Sequence, residues 1–288
     1  MTLPNLSLIL ASAFVHVVAH VAIKRARDRT AFVWWMLIWG GALFLPVALL
    51  RWQPIPLAAI GIMAASAVFE ALYFYSIAQA YRHGDLSVVY PLARGTAPLF
   101  LLVWSTLFLS DRITLGGAAG IVVIALGLYL INLPRLGAWS QPLRSLSQTG
   151  PRWALLAGLC ISLYTLIDRF GIRLLDPLLY TYLALWLTVA LMTPITLREV
   201  GWPGLRAELG ASRWSSALAG ATTMTAYAVV LYAMQAGTPA SYAGAVREIS
   251  VVLGVIAGVL LLKEHGTTMR VVGALCVAAG VAVIALLG

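Results

Sequence analysis

Ten long apolar runs follow one another along this chain of 288 residues, and each is about as long as a membrane-spanning helix. A hydrocarbon layer of about 30 Å requires about 20 apolar residues in helical conformation. Only 10% of the residues are charged, whereas a soluble domain carries about 25%. The sequence therefore predicts an all-α, polytopic membrane protein whose main solvent is lipid. We place the ten spans at residues 6–24, 31–50, 57–82, 87–109, 113–132, 152–174, 178–197, 213–236, 240–262 and 268–287.

The net charge of +9 is explained by membrane topology rather than by nucleic-acid binding. Basic residues lie in short connections between spans and form no patch on a folded domain, so we expect no nucleic-acid partner. One set of alternate connections holds most of them, from Lys24 to Arg270, and the opposite set holds only Arg51, Arg112 and Arg173. By the positive-inside rule, this bias predicts a multi-pass protein of the cytoplasmic membrane with both termini in the periplasm.

The second half of the chain repeats the first. A shift of 153 residues aligns the two copies without a gap over most of their length, and upstream the shift becomes 148. Each copy contains five spans, so the second copy must enter the membrane from the opposite face. We predict two inverted repeats, residues 1–132 and 152–288, joined by a loop at 133–151, with a substrate site near the midplane between them. Matched pairs include Gly84 with Gly237, Arg94 with Arg247, Asp111 with Glu264, Asp28 with Asp176 and Pro46 with Pro194.

An acidic turn precedes the last span of each copy, and that span carries spaced glycines. The turns are Leu109-Ser110-Asp111-Arg112 and Leu262-Lys263-Glu264-His265, and the glycines are Gly120, Gly127, Gly273 and Gly280. Together with the five-plus-five duplication, these motifs resemble the EamA-type transporters of the drug/metabolite transporter superfamily, over almost the full chain. The resemblance implies that the third, fourth, eighth and ninth spans line a central cavity. It does not specify the cargo, because such transporters move amino acids, drugs, sugars and other metabolites.

Ionisable residues deep in the spans are the candidates for chemistry. A charge within a bilayer costs at least a few kcal/mol, so such a residue usually faces a cavity or a partner. Arg94 and Arg247 occupy equivalent positions, each about 10 Å inside its own membrane face, and inversion predicts that they flank a substrate from opposite ends of a central region. Pro91 and Gly244 lie nearby, where interrupted helices would mark the binding site. The candidate substrate-binding residues are Arg94, Arg247, Glu70, Tyr73, Tyr90, Tyr227, Tyr242 and Glu248, and the candidates for proton coupling are His20, His16 and Asp168.

A structural role is the alternative for the same residues. Arg94 with Glu70, and Arg247 with Glu248 or Asp168, would form internally compensated ion pairs that never touch cargo. The histidines and tyrosines have a comparable alternative as packing or interfacial residues. The spaced glycines favour close helix packing, either within a monomer or in a homodimer.

A secondary transporter is the function that these features favour. The sequence contains no nucleotide-binding loop, no metal-ligand spacing and no nucleophile motif, so we expect no cofactor, no metal and no enzymatic activity. A membrane enzyme, a channel and a scaffold remain the rival classes. Cationic and anionic residues balance in the deep spans, which suits a zwitterionic or anionic cargo resembling an amino acid or an aminophosphonate. Export of organic cations or drugs, bound by Glu70, is the alternative.

Overall fold

The computed structural model of the protein describes residues 2–109, 113–131, 133, 137, 139, 146–262 and 268–288, and all regular structure within these ranges is helical. Asp111, Arg112 and Glu264 of the acidic turns lie outside the described residues. The helices are α1 (Leu3–Arg25), α2 (Arg29–Leu50), α3 (Leu57–His83), α4 (Leu86–Trp104) with a π-helical turn (Ser105–Leu109), α5 (Leu115–Ile131), α6 (Thr149–Gly171), α7 (Pro177–Glu199), α8 (Gly201–Gln235), α9 (Ala240–Arg247), α10 (Ile249–Leu262) and α11 (Thr268–Leu287).

These helices form ten spans, which confirms the prediction. Within the described ranges, eight helical segments are long and apolar enough to cross a bilayer. The fifth span is the shorter apolar helix α5, and the ninth consists of α9 and α10, which are separated only by Glu248. Helix α8 has 35 residues and bends at Ser212, where the backbone departs from helical geometry with φ at −132° and ψ at 20°. The bend separates a largely exposed first segment from the eighth span.

Equivalent residues start equivalent helices in the two repeats. The carboxylate of Asp28 accepts a hydrogen bond from the backbone N–H of Ala31 at 2.9 Å, and that of Asp176 accepts from Leu178 at 2.9 Å. Each carboxylate satisfies an N–H group that has no partner inside its own helix. The duplication has therefore kept the chemistry that starts the second helix of each repeat.

Contacts between the repeats occur in symmetric pairs. Helix α3 packs on α6 as α8 packs on α1, and α2 packs on α8 as α7 packs on α3. Helices α5 and α11, which are equivalent, pack on each other. Thr2 and Gly288 line one pocket, so both termini lie at the same end of the bundle. With five spans in each repeat, the architecture is two inverted repeats. We call the end with the termini the terminal face and the opposite end the basic face.

The glycines of the fifth and tenth spans pack α5 against α11 within the monomer. A Cβ atom built at Gly127 would lie 2.6 Å from the carbonyl oxygen of Gly273, and one built at Gly280 would lie 2.7 Å from that of Gly120. These separations are shorter than van der Waals contact, so the two backbones approach this closely only because side chains are lacking.

Replacing Gly127 with alanine is expected to destabilise the protein by about 1–3 kcal/mol, because the added methyl group overfills the contact between α5 and α11. Thermal unfolding in detergent measures the effect. The matched control is Gly61→Ala, since a Cβ atom at Gly61 meets no other atom within 4 Å. Equal melting temperatures for the two variants would contradict the packing described here.

Candidate functional site

Two small cavities lie side by side between the repeats. Each has a volume of about 20 Å³, which is room for roughly one water molecule. Tyr227 and Arg247 line both cavities and so separate one from the other. The first cavity is also lined by His16, Glu70, Tyr73 and Tyr164, and the second by Arg94, Pro98, Gly244 and Glu248.

Three pairs of equivalent residues line the first cavity. They are His16 with Tyr164, Glu70 with Thr223, and Phe74 with Tyr227. A residue and its equivalent in the other repeat can be neighbours only near the axis that relates the two repeats. The first cavity therefore lies at this axis. Within each pair the chemistry differs: an imidazole faces a phenol, and a carboxylate faces a hydroxyl. The site is therefore symmetric in backbone and asymmetric in its polar groups.

Arg94 and Arg247 both line the second cavity. They are therefore closer together than predicted from the sequence, which placed them at opposite ends of a central region. Arg94 Nε is 3.6 Å from Oε1 of Glu248, and both side chains are 2% exposed. Arg247 Nη2 donates to Nδ1 of His16 at 3.4 Å, and its guanidinium carbon is 5.8 Å from the centroid of the Tyr227 ring. The depth of each arginine along its own helix can be counted from the sequence, but the way in which the helices converge cannot.

The ion pairs foreseen from the sequence are wrong in their partners. Arg94 pairs with Glu248 and not with Glu70. Among the residues that the structure describes, Arg247 pairs with neither Glu248 nor Asp168. Neighbouring residues in a helix point in directions about 100° apart. Glu248 therefore points towards Arg94, whereas Arg247 points towards His16 and the Tyr227 ring.

The buried carboxylates of Glu70 and Asp168 are held by hydroxyl groups, and within the described part of the chain neither has a cationic partner. Glu70 is 8% exposed and Asp168 is 1% exposed. Such donors satisfy a buried carboxylate without neutralising it. Ser, Thr and Tyr are common in apolar helices, so no sequence signal singled out Thr188, Ser66 or Tyr180, and Tyr227 was predicted only as a substrate-binding residue. Glu70 accepts a hydrogen bond from Thr188 Oγ1 at 2.8 Å. Asp168 accepts hydrogen bonds from Ser66 Oγ at 2.5 Å, from Tyr180 OH at 2.6 Å and from Tyr227 OH.

The two histidines form a continuous chain along α1. Their Nε2 atoms are 3.0 Å apart, and His20 Nδ1 is 2.7 Å from the hydroxyl oxygen of Tyr81. The His20 ring also packs on Tyr90, with centroids 4.5 Å apart, and Tyr90 donates to Ser250 Oγ at 2.9 Å. His16, His20 and Tyr90 therefore belong to one polar cluster next to the first cavity. Tyr81, which the sequence did not single out, belongs to it as well.

The predicted tyrosines divide into two groups. Tyr73, Tyr164 and Tyr227 line the first cavity side by side. The centroid of the Tyr164 ring is 5.8 Å from that of Tyr73 and 5.7 Å from that of Tyr227. Tyr242 lies elsewhere, in a pocket at the terminal face. Its hydroxyl oxygen accepts a hydrogen bond from the backbone N–H of Thr114 at 2.8 Å. Residues five apart on a helix, such as 242 and 247, point about 140° apart. Tyr242 therefore lies outside the central site.

Of the two predicted helix interruptions, one is shifted along its span and the other is not observed. The backbone of α4 continues as a helix through Pro91 and Pro98, and the ninth span divides at Glu248 while Gly244 remains helical. Proline has no N–H group, so Pro98 leaves the carbonyl oxygen of Arg94 without its helical donor. Both irregular positions thus adjoin charged residues of the second cavity.

Two inverted repeats that enclose buried charges at their interface are an arrangement common in membrane transporters of small molecules. The profile of the EamA-like transporter family matches residues 3–133 and 148–286, which cover both repeats. The chain belongs to this family. No curated protein matches it. A solved structure titled only "Crystal structure of protein" is similar in fold, with a TM-score of 0.69 and 17% sequence identity over 99% of this chain and 98% of that one.

Proposed function

We propose that the protein is a secondary transporter that carries a small zwitterionic or anionic metabolite, resembling an amino acid or an aminophosphonate, across the cytoplasmic membrane by alternating access. One observation carries this proposal. Arg247 and Glu70 line the same cavity from different repeats, and in the part of the chain that the structure describes they do not form an ion pair.

A cavity lined by a cation and an anion that do not pair with each other is suited to binding a zwitterion, which carries a partner for each. Buried charges are normally paired, because an isolated charge in an apolar medium is costly. The guanidinium of Arg247 offers a planar fork of donors that matches a carboxylate or phosphonate, and its Nε has no hydrogen-bond partner among the described residues. The carboxylate of Glu70 would receive the cargo's ammonium group. A bound zwitterion would then complete both pairs.

Contacts between the repeats at both faces support alternating access. At the basic face, Asp28 N donates to Glu208 Oε2 at 3.0 Å. At the terminal face, Asn5 Nδ2 donates to Thr238 Oγ1 at 3.0 Å. Each central cavity has room for only about one water molecule, so in this conformation neither cavity is large enough for cargo. Loading and release would require each set of contacts to break in turn as the repeats rock about the site.

Replacing Glu70 with glutamine is expected to remove the preference for zwitterions. The test compares 2-aminoethylphosphonate with ethylphosphonate, which lacks only the ammonium group. The unmodified protein should bind the aminophosphonate about 10-fold more tightly or better, which is the value of a charge-assisted hydrogen bond. Glu70→Gln should bind both ligands equally, and the surface variant Asp85→Asn should behave like the unmodified protein. Calorimetry in detergent measures the affinities, and a preference that survives in Glu70→Gln would refute the role of Glu70.

Export of organic cations is the second candidate function. Glu70 is the carboxylate that lines the first cavity, and the aromatic rings of Tyr73, Phe74 and Tyr164 line it too, which is an arrangement that binds quaternary ammonium groups. Binding of tetraethylammonium that Glu70→Gln abolishes, with no binding of either phosphonate, would favour this function over the first.

Saturable counterflow in liposomes separates a carrier from the other classes. Labelled cargo should accumulate transiently against an excess of unlabelled cargo inside, and it should be recovered chemically unchanged. A channel would show no counterflow, and an enzyme would alter the compound.

A further inference from the structure

A hydrogen-bonded chain runs from Arg247 through His16 and His20 to Tyr81, and chemistry fixes its direction. The successive distances are 3.4 Å, 3.0 Å and 2.7 Å. A guanidinium can only donate, so Nδ1 of His16 is an acceptor. The neutral His16 ring then carries its proton on Nε2 and donates it to Nε2 of His20. His20 in turn carries its proton on Nδ1 and donates to the hydroxyl oxygen of Tyr81.

The chain leads from the first cavity towards the basic face. His16, His20 and Lys24 are spaced four residues apart, so they lie along one side of α1. Lys24 Nζ donates to the carbonyl oxygens of Gly84 at 2.6 Å and Tyr81 at 3.3 Å. These carbonyls lie at the end of α3, close to Tyr81 of the hydrogen-bonded chain.

When no cargo is bound, the charged groups around His16 and His20 disfavour the cationic, imidazolium form of these side chains. Arg247 donates directly to His16, and Arg94 lies one helical turn after Tyr90, whose ring packs on His20. A further positive charge beside these two guanidinium groups would be repelled. The other facing groups are Lys24 on α1, Glu70, Tyr73 and Tyr81 on α3, Tyr90 on α4, Glu248 after α9, and Tyr164 and Tyr227 on the second repeat.

We propose that Arg247 couples binding of the cargo's anionic group to entry of a proton into the His16–His20–Tyr81 chain, an inference that rests on the proposed role of Arg247 in cargo binding. A carboxylate or phosphonate neutralises the guanidinium and competes for its N–H donors. Nδ1 of His16 is then free to accept a proton from a hydronium ion in the cavity. Cargo and proton thereby strengthen each other's binding, because such coupling is reciprocal.

The direction of the hydrogen bonds also sets the direction of proton transfer. When Nδ1 of His16 gains a proton, its Nε2 proton passes to Nε2 of His20. The Nδ1 proton of His20 passes to the Tyr81 oxygen, and Tyr81 releases its own hydroxyl proton towards the basic face. One proton enters and one leaves, and each ring returns to a neutral form. The chain therefore moves protons from the central cavity to the basic face, together with cargo released there.

Nitrogen-15 NMR of histidine-labelled protein tests the inference. At pH 7 in the unmodified protein, His16 should carry its proton on Nε2 and His20 on Nδ1, with signals assigned by His16→Asn and His20→Asn. In Arg247→Gln, the ratio of imidazolium to imidazole at His16 should rise about 10-fold at a given pH, because one nearby cation is gone. The matched control is Arg169→Gln, an arginine whose guanidinium donates to the Met234 carbonyl.

Addition of 2-aminoethylphosphonate to the unmodified protein should produce the same change as Arg247→Gln. The same tautomer on both rings, or a His16 signal that Arg247→Gln leaves unchanged, would overturn the inference. The tautomer measurement needs no arginine variant, so it decides the matter even if Arg247→Gln does not fold. A phosphonate that fails to bind counts against the proposed function, whereas one that binds and leaves the histidine signals unchanged counts against the coupling alone.

Discussion

Replacing Arg94 with glutamine is expected to destabilise the folded protein by about 3–5 kcal/mol, because it leaves the carboxylate of Glu248 buried without a cation. The two side chains lie 3.6 Å apart and are 2% exposed, so water cannot compensate for the lost charge. The second carboxylate oxygen of Glu248 has no hydrogen-bond partner among the described residues, which makes the arginine its principal stabilising contact. The free energy of unfolding in mixed micelles measures the loss.

The double variant provides the control for this pair. Adding Glu248→Gln to Arg94→Gln should restore most of the lost stability, because no buried charge then remains at this position. Arg169→Gln should cost much less, since the guanidinium of Arg169 donates to the backbone carbonyl of Met234. If Arg94→Gln unfolds like the unmodified protein, the pair is not structural and Arg94 returns to the candidates for cargo binding.

The duplication explains why two equivalent arginines differ in their surroundings. Glu248 follows Arg247 in the second repeat, but the residue that follows Arg94 in the first repeat is Gly95. Two arginines therefore share one adjacent carboxylate, and the structure pairs it with Arg94. Arg247 is left with His16 and the Tyr227 ring. A symmetric signal in the sequence has become an asymmetric site.

The sequence predicted the fold well because each span is a local feature. The length of an apolar run decides whether it can cross the bilayer, and the odd number of spans in each copy decides the inversion. The irregular positions depend on packing instead. Neither Ser212 nor Glu248 is a strong helix breaker, yet α8 bends at the first and the ninth span divides at the second.

The candidate site was only partly predictable, for a related reason. The cost of burying a charge is visible in the sequence, so Glu70, Arg94 and Asp168 were found by their depth alone. Their partners depend on how each helix is rotated, which the sequence did not reveal. The hydroxyl groups that hold Glu70 and Asp168 come from other helices, and Tyr242 was included although its side of α9 faces away from the cavities.

Replacing Arg247 with glutamine is expected to leave the protein folded and to weaken binding of 2-aminoethylphosphonate by about 2–5 kcal/mol, which is at least about 30-fold. The substitution leaves no carboxylate without a partner, because Arg247 has no ion pair in the described residues. It also removes a guanidinium that lines both cavities. Calorimetry and thermal unfolding of the same sample separate affinity from stability.

Replacing Arg247 with lysine separates the contribution of the planar guanidinium from that of the positive charge alone. Arg247→Lys keeps a positive charge but loses the planar fork of donors, so its affinity should fall between those of the unmodified protein and Arg247→Gln. Arg94→Gln in the Glu248→Gln background is the matched comparison, since it removes the equivalent guanidinium without leaving a buried charge, and it should weaken binding less than Arg247→Gln does. Equal losses from the two arginines would mean that both bind cargo, and unchanged affinity in a well-folded Arg247→Gln protein would exclude Arg247 from the substrate site.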